Sequence, residues 1–275
     1  MKKPKVLFVF QEITPYLPDS HLSNIGRHLP QGIQERGKEI RTFMPRYGCI
    51  SERRNQLHEV IRLSGMNIII DDTDHPLIIK VASIQSARMQ IYFIDNEDYF
   101  QRKAIDCDKS GSFFDDNDER SIFFSRGVLE TVKKLGWAPD VIHCHGWMSS
   151  AIPYLIKVAY KDNPLFTDTK VVYSVYDDEF PGQLDPKYSS KLLMDGISKS
   201  SVDIFREPTY ENLTRGAIAH SDGVIIGSEN INTEIHGFIA TQDIPVLSFQ
   251  NDDSYIDAYS EFYEEVMVSE EVYSD

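Results

Sequence analysis

Cysteine is scarce in this chain: Cys49, Cys107 and Cys144 are widely spaced and odd in number, with no Cys-x-x-Cys pair among them. That excludes a disulfide framework and a cysteine-based structural zinc site. Positive charge is also short. Lys and Arg number 28 against 43 Asp and Glu, a net charge of −15. Nucleic acid and anionic membrane both reward Lys and Arg, so neither is an expected partner. No apolar run approaches the length of a membrane-spanning helix. The run Val6–Phe10 near the start is too short for the apolar core of a secretory signal and reads as a first strand. The expected location is the cytoplasm. No Gly-x-Gly-x-x-Gly follows that strand, so an NAD or flavin site lacks its usual backbone room. No internal repeat or low-complexity linker marks a domain boundary. What remains is ordinary for a globular protein, with 41% hydrophobic and 26% charged residues. The acidic runs at 106–119 and 252–275 read as solvated surface.

The hydrophobic pattern alternates between strands and helices. Lys5–Phe10 is a short apolar run, as expected of a buried strand. Leu22, Ile25, Leu29 and Ile33 recur at helical spacing, which predicts a helix over Leu22–Arg36, with Gly37 just past its end. Pro30 is expected to kink or divide it. Lys38–Met44 follows as a strand, giving a right-handed parallel unit. Val60–Leu63, Asn67–Ile70, Leu77–Ile84 and Met89–Ile94 read as antiparallel strands inserted into that framework. Further strands are expected at Asp140–Cys144, Lys170–Val175, Gly223–Ile226 and Pro245–Phe249. Helices are expected at Glu119–Lys134, Trp147–Tyr160, Val202–His220 and Asn230–Ala240, with loop over 178–201. Asn251–Val268 carries aromatic and apolar residues at helical spacing. It reads first as a helix docked on its own domain, and second as a contact for a homodimer or a partner chain. The fold class is therefore α/β, a doubly wound, mostly parallel sheet with a small β insertion near residues 58–100. One domain is expected over residues 1–250, followed by an acidic amphipathic helix and tail over 251–275.

The most informative stretch is Gly136–Lys157, GWAPDVIHCHGWMSSAIPYLIK, in which His143, Cys144, His145, Gly146 and Trp147 form the turn after a parallel strand. Such turns are where open α/β sheets place their ligand chemistry. His143 and His145 read either as a ligand-contacting pair or as one satisfied buried histidine and one cap. The second reading is favoured. Met148 follows, and a thioether is a poor hydrogen-bonding group. No carboxylate lies at a fixed helical spacing from the histidines, so no metal is expected. Glu12 follows the first strand, where a glutamate often only forms a turn. His21 opens a helix, where it could meet an anion. Arg46 and Tyr47 read as turn formers, and Arg126 as an ion-pair residue.

Several segments, in order, resemble the N-terminal half of the glycogen and starch synthases. They are KVLFVFQEITPYL, LPQGIQERGKEIRTFMPRYGCI, YFIDNEDYFQRKAI, DDNDERSIFFSRGVLETVKKLGWAPDVIHCHGW and Gly216–Ser228. The resemblance implies a GT-B glycosyltransferase with two Rossmann-like domains facing a cleft. It implies retaining glucose transfer from ADP-glucose or UDP-glucose to an α-1,4-glucan, with no metal or other cofactor. It also implies that the second domain holds most of the donor, while the first supplies a Lys-x-Gly-Gly-Leu loop and a His-Asp-Trp-His turn. On this basis Glu12, His21, His143, His145 and Trp147 are the candidate substrate-binding residues, for a nucleotide-sugar or an α-glucan. No catalytic residue is assigned.

The chain departs from the family where the chemistry lies. Pro18, Asp19, Ser20 and His21 stand where the family has Lys-Thr-Gly-Gly, and only Leu22 is kept. Gly146 replaces the aspartate and Met148 the second histidine of His-Asp-Trp-His. Tyr176 and Asp177 stand for a His-Asn pair, and Ser228–Ile231 for Ser-Pro-Thr-Tyr. The 275 residues are expected to form only the first domain. Three readings follow: a glucosyltransferase by resemblance, a catalytically silent relative that binds or scaffolds, or a half-enzyme completed by another chain.

Overall fold

In the computed structural model, residues 3–268 are described, so the part of the expected acidic tail over 269–275 lies outside them. The first strand, β1 (Lys5–Phe10), is buried almost throughout and lies at the middle of the sheet. The helix α1 (His21–Glu35) follows and is one unbroken element despite Pro30, which is buried on its core face. Pro30 costs a single backbone hydrogen bond there. The start of α1 is fixed by a capping box: Ser20 Oγ accepts the Ser23 N–H at 2.9 Å, and Ser23 Oγ accepts the Ser20 N–H at 2.8 Å. The strand β2 (Glu39–Pro45) then pairs parallel with β1.

The expected insertion is built differently from its sequence reading. Val60–Leu63 is a turn, because the Leu63 and Ser64 N–H groups both donate to the Val60 carbonyl, and Ile61 is 82% exposed. A four-residue helix, α2 (Glu52–Asn55), and a two-residue strand, β3 (His58–Glu59), precede it. The strands β4 (Met66–Ile70) and β5 (Thr73–Ile84) form a hairpin turned by Asp71 and Asp72, both left-handed. Aspartate is among the residues that accept two consecutive positive φ values in such turns. The strand β6 (Met89–Asp95) pairs antiparallel with β5 but parallel with β2. The antiparallel strands thus extend one edge of the main sheet instead of standing apart from it.

The helices α3 (Glu97–Phe100) and α4 (Asn117–Leu135) lead to β7 (Val141–His145), which pairs with β1. A helical run from Trp147 to Ala159, with α5 (Ala151–Tyr154) inside it, precedes β8 (Lys170–Val175). A short helix, α6 (Tyr188–Leu192), interrupts the expected loop over 178–201. The helix expected over Val202–His220 is divided: a tight turn (Lys199–Phe205) ends before Pro208, and α7 (Tyr210–Ala219) begins with Thr209 as its cap. The chain continues through β9 (Gly223–Ile226), α8 (Thr233–Ile239) and β10 (Val246–Leu247). The strand order is β10-β9-β8-β7-β1-β2-β6-β5-β3, parallel from β10 to β6, with β4 paired to β5 at the side.

The last described helix, α9 (Tyr255–Val268), packs back on α1 and β8. Its buried residues are Tyr255, Tyr259, Ser260, Phe262, Tyr263 and Val266, at helical spacing. Gly32 of α1 permits the approach, since a Cβ there would overlap the Ile256 side chain. Arg36 Nε donates to Asp257 at 2.6 Å, and buried Lys38 reaches Ser260 at 2.7 Å and Glu264 at 3.0 Å. The apolar face of α9 is therefore used within the chain. No helix among the described residues is long and apolar enough to cross a membrane.

Candidate functional site

The carboxyl ends of β1, β7, β8 and β9 point the same way, and the candidate residues gather there. Strand alternation places His143 and His145 on one face of β7 and Cys144 on the other. His143 is sealed: Nδ1 bonds the Tyr263 hydroxyl of α9 at 2.6 Å, and Nε2 bonds the Ser174 hydroxyl of β8 at 2.7 Å. His145 stacks on Phe10 with ring centres 3.8 Å apart, and its Nδ1 bonds the Tyr176 hydroxyl at 2.8 Å. The two imidazoles lie 3.7 Å apart, centre to centre. Burial holds both pKa values well below the usual histidine range, and for His145 the neighbouring His143 adds to this. Both rings are thus neutral and buried. His145 Nε2 has no partner among the described residues.

The turn beyond β7 is built around Gln11. Gly146 has φ 82° and ψ 161°, a conformation essentially confined to glycine. A Cβ there would overlap the Gln11 carboxamide, which fills the space beside the turn. Gln11 Oε1 in turn accepts the Met148 N–H at 3.1 Å. The Met148 side chain is packed inside, 1% exposed. The Trp147 ring is buried against Phe113 and Phe180, and its backbone N–H donates to Asp178 Oδ2 at 2.9 Å. Asp178 also accepts from the Tyr210 hydroxyl at 3.0 Å. Burial pushes the Asp178 carboxyl up to about 6; these hydrogen bonds partly offset that, while the charge of Glu12 adds to it.

Glu12 accepts the Ser20 hydroxyl proton at 2.7 Å, so it braces the cap of α1. Burial raises its pKa, the Ser20 bond opposes this, and the charge of Asp106 adds to it. His21 is exposed, but its Nε2 is tied to the Gly227 carbonyl at 2.8 Å. That contact joins the start of α1 to the end of β9 and does not present the nitrogen to an anion. Arg46 is buried and pairs with Glu52, and Arg126 donates to the Ile69 carbonyl, so both hold structure. Tyr47 is buried as well.

Two depressions open above this layer, and His21 lines both. One, of about 340 Å³, lies over the ends of β8, β9 and β10 and is lined by Asp177, Ser228, Glu229, Asn230 and Phe249. The other, of about 570 Å³, lies between α1 and α9 and is lined by Asn24, Ile25, His28, Asp252, Tyr255 and Ile256. Neither lining contains Lys or Arg. Among the described residues no group of three His, Cys, Asp or Glu is placed to hold a metal ion.

A family model described as the starch synthase catalytic domain matches residues 5–242. The chain belongs to the starch synthase catalytic domain family. The glycogen synthase of Chlorobium limicola is 37% identical over 234 residues, covering 85% of this chain and 47% of the relative. The glycogen synthase of Chlorobaculum tepidum is 34% identical over 253 residues, covering 90% and 49%. The chain thus spans about half the length of the curated relatives it matches. Among solved structures, the catalytic domain of starch synthase IV from Arabidopsis thaliana, bound to ADP and acarbose, superposes with a TM-score of 0.72. That match is 18% identical and covers 92% of this chain and 53% of the other, and it shows the fold.

Within this starch synthase family chain, Glu12, His21, His145 and Trp147 share one end of the sheet. His143 lies one layer deeper, under Tyr263. Glu12 and Trp147 both act on the loops around them, through Ser20 and Asp178. The sequence reading missed Gln11, Tyr176, Asp178 and Tyr263. Gln11 directly precedes Glu12, and Asp178 lies 31 residues beyond Trp147; neither spacing carries a periodic signal.

Proposed function

We propose that this chain binds α-glucan and does not itself transfer glucose. One observation carries the reading: the turn after β7 presents no ionisable or hydrogen-bonding side chain outward. His143 and His145 are buried and neutral, Met148 is packed inside, and the Gln11 carboxamide occupies the space beside Gly146. The family resemblance places a histidine at the position of Met148 and a lysine at that of Pro18. Retaining transfer needs positive charge set against the leaving diphosphate. The two depressions above the strand ends offer none. The relatives' names point to glycogen as the polymer handled. The free cysteines and acidic composition suit the cytoplasm.

The test is transfer of labelled glucose from ADP-glucose to a glycogen primer, with the Chlorobium limicola glycogen synthase as the active control. A parallel co-sedimentation with glycogen measures binding. The expected result is retention on glycogen with no label incorporated above a protein-free blank. Turnover by the chain alone would overturn the reading. A second reading keeps the arrangement that the family resemblance implies, in which a second domain supplies the donor site. Turnover that appears only when the second half of the Chlorobium enzyme is added would establish that reading in its place.

A further inference from the structure

We infer that the glucan site is the groove formed by the two depressions that meet at His21, and that it recognises a neutral oligosaccharide and not a nucleotide-sugar. The inference rests on the glucan-binding reading above and locates it. The polar side chains on the walls are uncommitted: Asn24, Asp177, Glu229, Asn230 and Asp252 make no side-chain hydrogen bond or ion pair with any described residue. Carboxylates and amides left open in this way accept and donate to hydroxyl groups. The floor is apolar and aromatic, with Phe249 on one side of His21 and Ile25, Tyr255 and Ile256 on the other. A sugar ring has this same division, with C–H faces that need apolar contact and an equator of hydroxyls.

Charge narrows the ligand further. The walls carry three carboxylates and neither Lys nor Arg, so a diphosphate would enter against like charge with no cation to meet it. A metal ion is disfavoured because no three acidic or imidazole groups converge among the described residues. The position also fits, since the groove overlies the carboxyl ends of β8, β9 and β10, where open α/β sheets receive ligands. A third of the residues lining the groove, Phe249, Asp252, Tyr255 and Ile256, lie beyond those the family model matches. The other eight lining residues lie within the matched domain, so the groove joins that domain to the segment leading into α9.

The test is calorimetric titration of the full chain with maltose and with maltoheptaose, repeated with two double variants. One is N230A/F249A and the other N24A/D252A; Asn230, Asn24 and Asp252 have no side-chain partner among the described residues and Phe249 has a ring contact with His21 at 6.5 Å, and far-UV circular dichroism confirms that each variant folds. Because the two depressions meet, maltoheptaose is expected to bind at least tenfold more tightly than maltose. Each double variant is expected to weaken maltoheptaose at least fivefold, while K199A, at an exposed residue that lines neither depression, leaves it unchanged. ADP-glucose is expected not to displace the oligosaccharide. Wild-type affinity in both double variants would overturn this location while leaving the glucan-binding reading in place. Displacement by ADP-glucose would overturn the choice of a neutral ligand. No binding of either sugar by the wild-type chain would overturn the inference and the glucan-binding reading together.

Discussion

Gln11 and Gly146 explain each other. The backbone at Gly146 lies in a region that other residues avoid, and the room a side chain would need is taken by the Gln11 carboxamide. Gln11 stays there because its oxygen accepts the Met148 N–H. Two separate costs therefore fall on Gly146→Ala. The backbone cost is about 1–3 kcal/mol, and the overlap with Gln11 adds to it. Gln11→Ala should cost about 1 kcal/mol for the lost hydrogen bond. In the double variant the overlap is gone while the backbone cost remains. The two changes should thus be non-additive by about 1 kcal/mol, the double variant being more stable than the sum implies. Urea unfolding midpoints of the four proteins measure this. Additivity within about 0.3 kcal/mol would mean that the Gln11 side chain is not what fills the turn.

At the scale of elements, α9 does more than cover a sheet edge. Its Tyr263 hydroxyl satisfies His143 inside the sheet, and its Ser260 and Glu264 satisfy buried Lys38. Removing one such partner leaves a buried polar group unpaired, which costs about 1–3 kcal/mol. Tyr263→Phe is expected to lower stability by about that amount with the fold intact. Truncation after Gln250 removes all these partners and uncovers Val172 and Ser174 of β8, so it should abolish cooperative unfolding. A truncated chain that still melts cooperatively would show that α9 is an accessory. The helix itself was legible in the sequence from its aromatic spacing, and Lys5–Phe10, Lys170–Val175 and Gly223–Ile226 match their strands residue for residue. Those are buried parallel strands, whose apolar runs have no competing pattern. Val60–Leu63 misled because its residues suit a strand while its backbone closes a turn. The joining of β6 to β2 was hidden because pairing between residues 49 apart leaves no local mark. The site was legible only in part. His143 and His145 stood out, but their tyrosine partners Tyr263 and Tyr176 are set by tertiary packing, and so is the Gln11 plug.

For the whole molecule, the buried histidines set the response to acid. Unfolded, each titrates near the ordinary value of about 6.5. Folded, burial holds His143 and His145 well below that. Between the two limits the unfolded chain binds more protons, so stability is full above pH ~6.5 and falls as the pH drops through it. Two protons give a slope of about 2.7 kcal/mol per pH unit. Asp178 works in the opposite sense. Its folded value, about 6, lies above its unfolded one, so below that pH the folded chain takes up a proton first. From these three groups the slope should fall to about one proton, roughly 1.4 kcal/mol per unit, once the pH is under about 6. The net charge of −15 also opposes acid unfolding, since protonation relieves repulsion. Those charges are mostly at the surface and are screened at about 0.15 M salt, where the interaction range is about 8 Å. The histidines are not screened, so they should win. Urea titrations at pH 7.5, 6.5, 5.5 and 4.5 should show steep loss beginning near 6.5 and a gentler slope below 6. His145→Phe keeps the stack on Phe10 and removes one titrating group, so it should reduce the upper slope by about 1.4 kcal/mol per pH unit. His220 and His28, also held below the ordinary value by burial, still contribute to that slope. Stability at pH 7.5 should fall as well, through the orphaned Tyr176 hydroxyl. Stability that rises on acidification from pH 7.5 to 5.5 would mean that the pair is protonated inside the fold, and that α9 does not seal the sheet.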